Sequence, residues 1–432
     1  TLYENDAPSA QESGKGTVVA PATAADRARL EATPDLSTVE RLALGASPSL
    51  VVAAYKARAR ATRASDAGGL PPPVLSTWLW QVPLEAPHRI DQAQMLMFSV
   101  RQDFPVSGLL DLGEETDALM AESEAAAGEA EARKIIHAVD VAFVGWVFAL
   151  RRHETHKAHR LVATELSEAT RARLASGGGL ADVAQADLQL EVANAHIDED
   201  VSRVEEARAR LNVLIGRAPD APLGDPTWTG PEAASDDLPA LFAQAESKRP
   251  ELRVASLEAD ADRATAHASD LALTVPSFSV ALDAFLPIGE QRAGWGVEVG
   301  MSLPWFWNGE RGGARADEVT ARGGRAIVSA VMKAVREEVT ASAMRATTAE
   351  RHLRLLASRV RPAAIRAVDA ARAGFIAGQT SLPAWVDATG MVLEIELEET
   401  AAAESLAMAL FDLDLAVGVH VARRAVSLEV SP

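Results

Sequence analysis

Hydrophobic residues follow two different periods along the chain, and each period occurs twice. Over Val74 to Leu84 polar and apolar positions alternate, with Val74, Ser76, Trp78, Trp80, Val82 and Leu84 pointing one way. Over Gln92 to Gln102 Leu96, Phe98 and Val100 share a face. The alternation returns over Ser277 to Leu286 and over Trp295 to Leu303. In the last run Trp295, Val297, Val299, Met301 and Leu303 oppose Gly296, Glu298, Gly300 and Ser302. A period of two predicts strands, and runs of about 10 residues have the length of a tilted membrane strand. Between the strands the pattern is helical. Leu109 to Ala175 holds no proline, and its 67 residues would reach about 100 Å as one helix. A second helix is predicted from Leu180 to Ile215, closed by Gly216 with Pro219 beyond, which is a C-terminal stop signal. Together they predict a helical hairpin over 109–215.

The whole unit repeats. Pro48-Ser-Leu50 corresponds to Pro250-Glu-Leu252, Phe104-Pro105 to Leu303-Pro304, and Leu180–Ala186 to Leu382–Ala388, at an offset that stays between 199 and 204 residues. Constant spacing over a unit of this size is the signature of an internal structural repeat. Each half reads as a short helix, two strands, a long helix, a tight turn and a medium helix. The predicted organisation is an extended N-terminal arm over 1–35, a first repeat over 36–216 and a linker over 217–236. A second repeat over 237–418, with a hairpin over 313–417, is followed by a tail over 419–432. The short and medium helices together nearly equal the long one at the same rise per residue. Stacked end to end they would line it, giving a wall two helices thick with strands at one end and turns at the other.

Four strands cannot close a barrel with a usable lumen, because about 8 is the smallest membrane barrel. Open strand edges are not tolerated in lipid. The chain is therefore expected to assemble with copies of itself, and three copies give 12 strands. The expected fold is mixed α and β, a long α-helical barrel plus a transmembrane β-barrel formed by a trimer.

Composition narrows the function. With 42 Lys and Arg against 61 Asp and Glu the net charge is −19, which argues against a nucleic-acid partner. The chain has no cysteine, so disulfides, thiolate metal sites and cysteine nucleophiles are excluded. No window is apolar enough for a membrane-spanning helix, a test that does not reach β-barrels. Frequent alanine with 5% aromatics suits helices that approach closely rather than bulky globular cores. No phosphate loop, Gly-x-Ser-x-Gly or His-Glu-x-x-His motif is present. Neither catalysis, a cofactor nor a resident metal is expected.

Several segments resemble the TolC outer-membrane efflux family over about residues 36–418. They are Arg249-Pro-Glu-Leu252, Phe104-Pro-Val-Ser-Gly108, Leu303-Pro-Trp-Phe-Trp-Asn-Gly309, and the helix-turn segments Gly177–Ala186 and Gly378–Ala388. Their order and duplication carry the likeness, and the Pro-Glu-Leu and Phe-Pro pieces resemble the cation-efflux branch more than the protein-secretion branch. The resemblance implies a homotrimeric channel in the cell outer membrane, with its helical part in the periplasm. It would be the exit duct of a tripartite efflux system, passive itself and opened by a periplasmic adaptor coupled to an inner-membrane pump. A type I protein-secretion duct is the alternative within this class, and a soluble coiled-coil scaffold the alternative outside it. Some relatives carry a lipidated N-terminal cysteine; with no cysteine among these residues, an acyl anchor is not an expectation they support.

The resemblance also assigns residues. Gly177, Gly178, Gly179 and Leu180 in the first turn, with Gly378, Gln379, Thr380, Ser381 and Leu382 in the second, would contact the adaptor. Asp182, Gln185, Asp187 and Asp387 would line the periplasmic gate, since three copies of a carboxylate form a ring that selects cations. Asp182 equally suits a helix-start carboxylate facing the macrodipole. The family's second gate carboxylate is replaced by Ala384. Trp78, Trp80, Trp295, Trp305 and Trp307 would anchor the barrel at the membrane interface, where tryptophan is enriched, or else pack at the strand–helix junctions. His153, His156 and His159 lie three apart, but Arg151, Arg152, Lys157 and Arg160 around them favour a solvated face over a metal site.

Overall fold

A computed structural model describes residues 24–82, 84–85, 87–175, 177–230, 232–233, 237–288, 292–306, 311–419 and 424–425. Helices α1 (Ala24–Ala32), α2 (Leu36–Ala46) and α3 (Pro48–Ala67) lead to strands β1 (Val74–Trp80) and β2 (Met95–Phe104). Then come α4 (Leu109–Leu174), α5 (Leu180–Leu214), β3 (Glu232–Ala233), α6 (Leu238–Lys248) and α7 (Pro250–Thr274). Strands β4 (Phe278–Pro287) and β5 (Gly294–Met301) precede α8 (Arg311–Leu355), α9 (Arg361–Ile376), α10 (Leu382–Val417) and β6 (Arg424–Ala425). Pro48 and Pro250 each occupy the first turn of the helix they open, where a missing N–H costs nothing. Asp35 and Asp237 cap α2 and α6 by accepting from the Thr38 and Ala240 amides at 2.8 and 3.2 Å.

The chain folds as two compact units. One, Val52–Gly128 with Pro250–Met332, holds the four-stranded sheet in the order β1-β2-β4-β5 with every neighbouring pair antiparallel. The two hairpins, one per repeat, meet at β2 and β4, from Met95 opposite Pro287 to Phe104 opposite Phe278. Residues opposite each other share a face, so register fixes sidedness. Leu75, Phe98, Val100, Val280, Leu282, Trp295, Val297 and Val299 lie on one face and are exposed. Ser76, Ser99, Arg101, Ser279, Asp283 and Glu298 lie on the other. On that face Arg101 donates to Ser279 at 3.0 Å and pairs with Asp103.

The second unit holds the rest of the described chain. Its core is small and regular, with Ala163, Ala186, Ala193, Ala402, Ala403 and Ala407 buried among leucines and Phe143, Phe148 and Phe411. The predicted linker is a strap. Gly224 and Thr227 donate to the Leu30 and Pro34 carbonyls, each at 2.9 Å. Trp228 stacks edge-on against Phe148 of α4 at 5.4 Å. Beyond it β3 pairs with β6.

Three sequence expectations change. Within the predicted extended arm, Ala24–Ala32 is helical: Leu30 is fully buried and Asp26 accepts from Arg41 at 2.6 Å, which gives the segment something to fold against. Residues 1–23 lie outside the described residues. The hairpin predicted over 313–417 is interrupted in its first arm by a π-helical turn at Leu356–Val360. Pro362 has no N–H and its ring crowds the carbonyl of Ser358, so the ladder loosens there. The third concerns β1. Trp78 and Trp80 sit opposite Met97 and Met95, on the face of Ser99 and Arg101, while Leu75 and Leu79 join the apolar face. Both faces of β1 carry apolar residues, so alternation alone does not orient it.

Candidate functional site

The two turns that join the long helices lie in the same unit and are built alike. At the end of α4 the Gly178 amide reaches back to the Arg173 carbonyl at 2.9 Å, and Gly177 sits at φ 101°. At the end of α9 the Gln379 amide reaches the Gly374 carbonyl at 2.8 Å, and Gly378 sits at φ 74°. A six-to-one bond with a left-handed glycine is a Schellman ending, and only glycine enters that region without a Cβ penalty. Gly179 and Ser381 then open α5 and α10 in extended conformation, without a side-chain cap. The second turn is one residue longer, and the Thr380 hydroxyl ties it by donating to the Ala371 carbonyl at 3.1 Å.

What the turns bury differs. Leu382 and Trp385 are each 2% exposed and pack with Phe375, Leu166 and Ala186 into one cluster. The equivalent Leu180 is 72% exposed. Leu382, expected on the contact surface, is therefore an inward-facing core residue. The first turn presents Leu180 and Gly179, and the second presents Gln379 and Ser381. The repeats diverge because Trp385 fills, beneath the second turn, the position that Val183 holds in the first.

The cluster brings the hairpins together. The Arg173 guanidinium lies 4.6 Å from the Phe375 ring centre, and Arg372 of α9 pairs with Glu165 of α4. Neither link is visible in the sequence, since the Arg372 and Glu165 partners stand 207 residues apart.

The three carboxylates expected at the gate occupy different settings. Asp187 accepts from the Ser167 hydroxyl at 2.7 Å and from Arg171 at 2.9 Å. Those two donors hold its carboxyl below the usual carboxylate range. Asp182 lies in the first turn of α5, its amide bonded to the Gly179 carbonyl, where a negative charge suits the helix N-terminus. Gln185 is half-buried on the same helix. Asp387, its counterpart in α10, is exposed with no hydrogen-bond or ion-pair partner among the described residues.

Trp295 is 76% exposed on the apolar face of the sheet and Trp305 is exposed in the short 3-10 turn that follows. Trp307 lies outside the described residues. His156 is buried against α5 rather than solvated, and no cluster of metal-ligating side chains occurs among the described residues.

Solved structures share this architecture. The outer-membrane channel OprN superposes with a TM-score of 0.73 at 18% identity, over 94% of this chain and 98% of its own. VceC, an outer membrane protein of Vibrio cholerae, gives 0.74 at 17% identity over 89% and 96%. CusC, solved in a study of transmembrane channel formation, gives 0.76 at 14% identity over 90% and 93%. The fold is that of outer-membrane channel proteins. It is the fold that the resemblance to the TolC family implies. No family model matches the chain, and no curated protein matches it by sequence.

Proposed function

We propose that the protein is an outer-membrane channel that works as a homotrimer and serves as the exit duct of a tripartite efflux system. The observation that carries this is the four-stranded sheet. One of its faces is apolar and exposed, the other carries Arg101, Asp103, Asp283 and Glu298, and among the described residues β1 and β5 are unpaired edges. In lipid such edges must close on further strands, and three copies supply 12. Trp295 and Trp305 are the interfacial anchors in this reading, and Trp78 and Trp80 face the lumen. The turns at Gly177–Leu180 and Gly378–Ser381 are the periplasmic tips that meet the adaptor, and an inner-membrane pump supplies the energy. Asp387 is the gate carboxylate most available to cations.

Expression of the full chain tests the reading. The expected outcome is recovery from membranes only with detergent, a trimer on cross-linking, and discrete conductance steps in planar bilayers. Recovery in the soluble fraction without detergent would sink it in favour of a coiled-coil scaffold.

A further inference from the structure

Several imidazoles converge on the middle of the first hairpin. His156 of α4 is 7% exposed, Asp200 of α5 is 2% exposed, and His156 Nδ1 lies 2.5 Å from Asp200 Oδ2. The His196 ring of α5 stacks on His156 with centroids 5.1 Å apart and planes 12° apart. His159, one turn along α4, is held below the ordinary histidine value by burial first, then by charge on His156 and His196. His153, one turn the other way, has a buried Nδ1 without a hydrogen-bond partner. Of the flanking cations of α4, Arg152 pairs with Glu404 of α10 at 2.8 Å, Lys157 pairs with Glu154 at 2.9 Å, Arg151 lies over the Phe148 and Trp228 rings, and Arg160 is exposed. Asp200 is the one carboxylate that hydrogen-bonds to any of these four rings among the described residues.

One carboxylate balances one imidazolium. A proton on His159 finds no hydrogen-bonded carboxylate among the described residues, and burial disfavours the charged form further. Histidine is the side chain whose ordinary pKa lies in the range where this matters. The sign follows from linkage: a ring held below its unfolded value of about 6.5 binds fewer protons folded than unfolded, so the packing weakens as pH falls below that value.

We propose that His156, His196, His159 and Asp200 form a proton-sensitive latch between α4 and α5, closed while His159 is neutral and loosened when acid charges it. Its consequence rests on the channel reading above. Loosening frees α5, whose first turns carry Asp182 and Asp187, and raises the open probability of the duct in acid.

Hydrogen exchange on the full chain in detergent micelles tests the latch without requiring conduction. After correction for intrinsic chemistry, amides of α5 around Ala193–Arg203 exchange about tenfold faster at about pH 5.5 than at about pH 7.5. His159→Phe keeps an aromatic ring that cannot titrate and flattens that response. His159→Gln does the same should the phenylalanine disturb packing. Equal protection of the wild-type protein at both pH values, or an undiminished response in both variants, overturns the latch. Bilayer recordings test the consequence: wild-type open probability rises several-fold over the same interval and the His159→Phe response is flat. Conduction that ignores pH while exchange responds overturns the gating step. Absence of conduction at every pH counts against the channel reading, and the exchange experiment still decides the latch.

Discussion

The guanidinium of Arg173 lies 4.6 Å from the centre of the Phe375 ring, so the last turn of one hairpin's long helix covers the aromatic core of the other. With the Arg372–Glu165 pair it forms the side-chain bond between the two turns. The ion pair is exposed and the Arg173 cation lies at the surface over a buried ring, so both contacts are individually weak, about 0.5–1 kcal/mol for the cation–π contact and about 0–1 kcal/mol for the ion pair. If opening separates the hairpins, Arg173→Ala raises open probability in bilayers by about two- to fivefold, and Arg173→Ala with Arg372→Ala by about tenfold. An open probability unchanged in the double variant would show that the hairpins move as one.

The asymmetry beneath the turns makes a sharper thermodynamic contrast. Leu382 and Trp385 fill a cluster with Phe375, whereas Leu180 stands in solvent. Leu382→Ala is expected to destabilise by about 2–5 kcal/mol and Trp385→Ala by about 3–5 kcal/mol. Leu180→Ala should stay within about 0.5 kcal/mol. Urea unfolding of the three variants in detergent checks this. A Leu180→Ala loss as large as that of Leu382→Ala would mean the two turns are buried alike, contrary to the structure.

The four strands and the two hairpins were legible because a period of two and a period of 3.6 survive in the sequence wherever one face is buried. The observed strands begin and end within about four residues of the predicted ones, the usual blur of element ends. What stayed hidden depends on pairing across long separations. The face of β1 is set by its register with Ser99 and Arg101, not by its own alternation. Asp187 reads as a free pore carboxylate until Ser167 and Arg171 are seen to hold it. His156 reads as solvated because four cations flank it in sequence, yet its partner Asp200 is 44 residues away. The π-turn was readable from Pro362, a breaker inside an otherwise continuous helical pattern.

The register of β1 can be checked with light. Trp295 belongs to the apolar face and Trp78 and Trp80 to the polar one. In vesicles of brominated lipid, Trp295→Phe should remove much of the quenchable tryptophan fluorescence. Trp78→Phe with Trp80→Phe should leave the quenched fraction nearly unchanged. The reverse result would place β1 with its tryptophans toward lipid and overturn the observed pairing.

Asp187 predicts an acid limit for the first hairpin. Its carboxyl is held low by Ser167 and Arg171. A depressed carboxylate stabilises the fold above its unfolded value of about 3.9, and that contribution is lost as pH falls through the lower folded value. Asp187→Asn should therefore lower thermal stability by a constant amount from neutral pH down to about pH 5, and the deficit should vanish in stronger acid. A deficit that grows as pH falls would assign the opposite shift.

The same geometry separates two carboxylates that the sequence assigns to the same gate. Asp387 is exposed and unpartnered among the described residues, whereas Asp187 already faces Arg171 at 2.9 Å. A carboxylate paired with a cation presents little net field to a passing ion, and a free one presents its full charge. In a trimer three copies of Asp387 would make a ring, so Asp387→Asn should shift the reversal potential of a salt gradient toward lower cation preference. Asp187→Asn leaves Arg171 without its partner in each copy and so adds positive charge. It should also lower cation preference, and Arg171→Ala with Asp187→Asn should restore it. Restoration separates a local charge effect from structural damage, because the double variant lacks the whole link. Failure of Asp387→Asn to move the reversal potential would remove it from the selectivity account, and failure of the double variant to recover would do the same for the Arg171 charge.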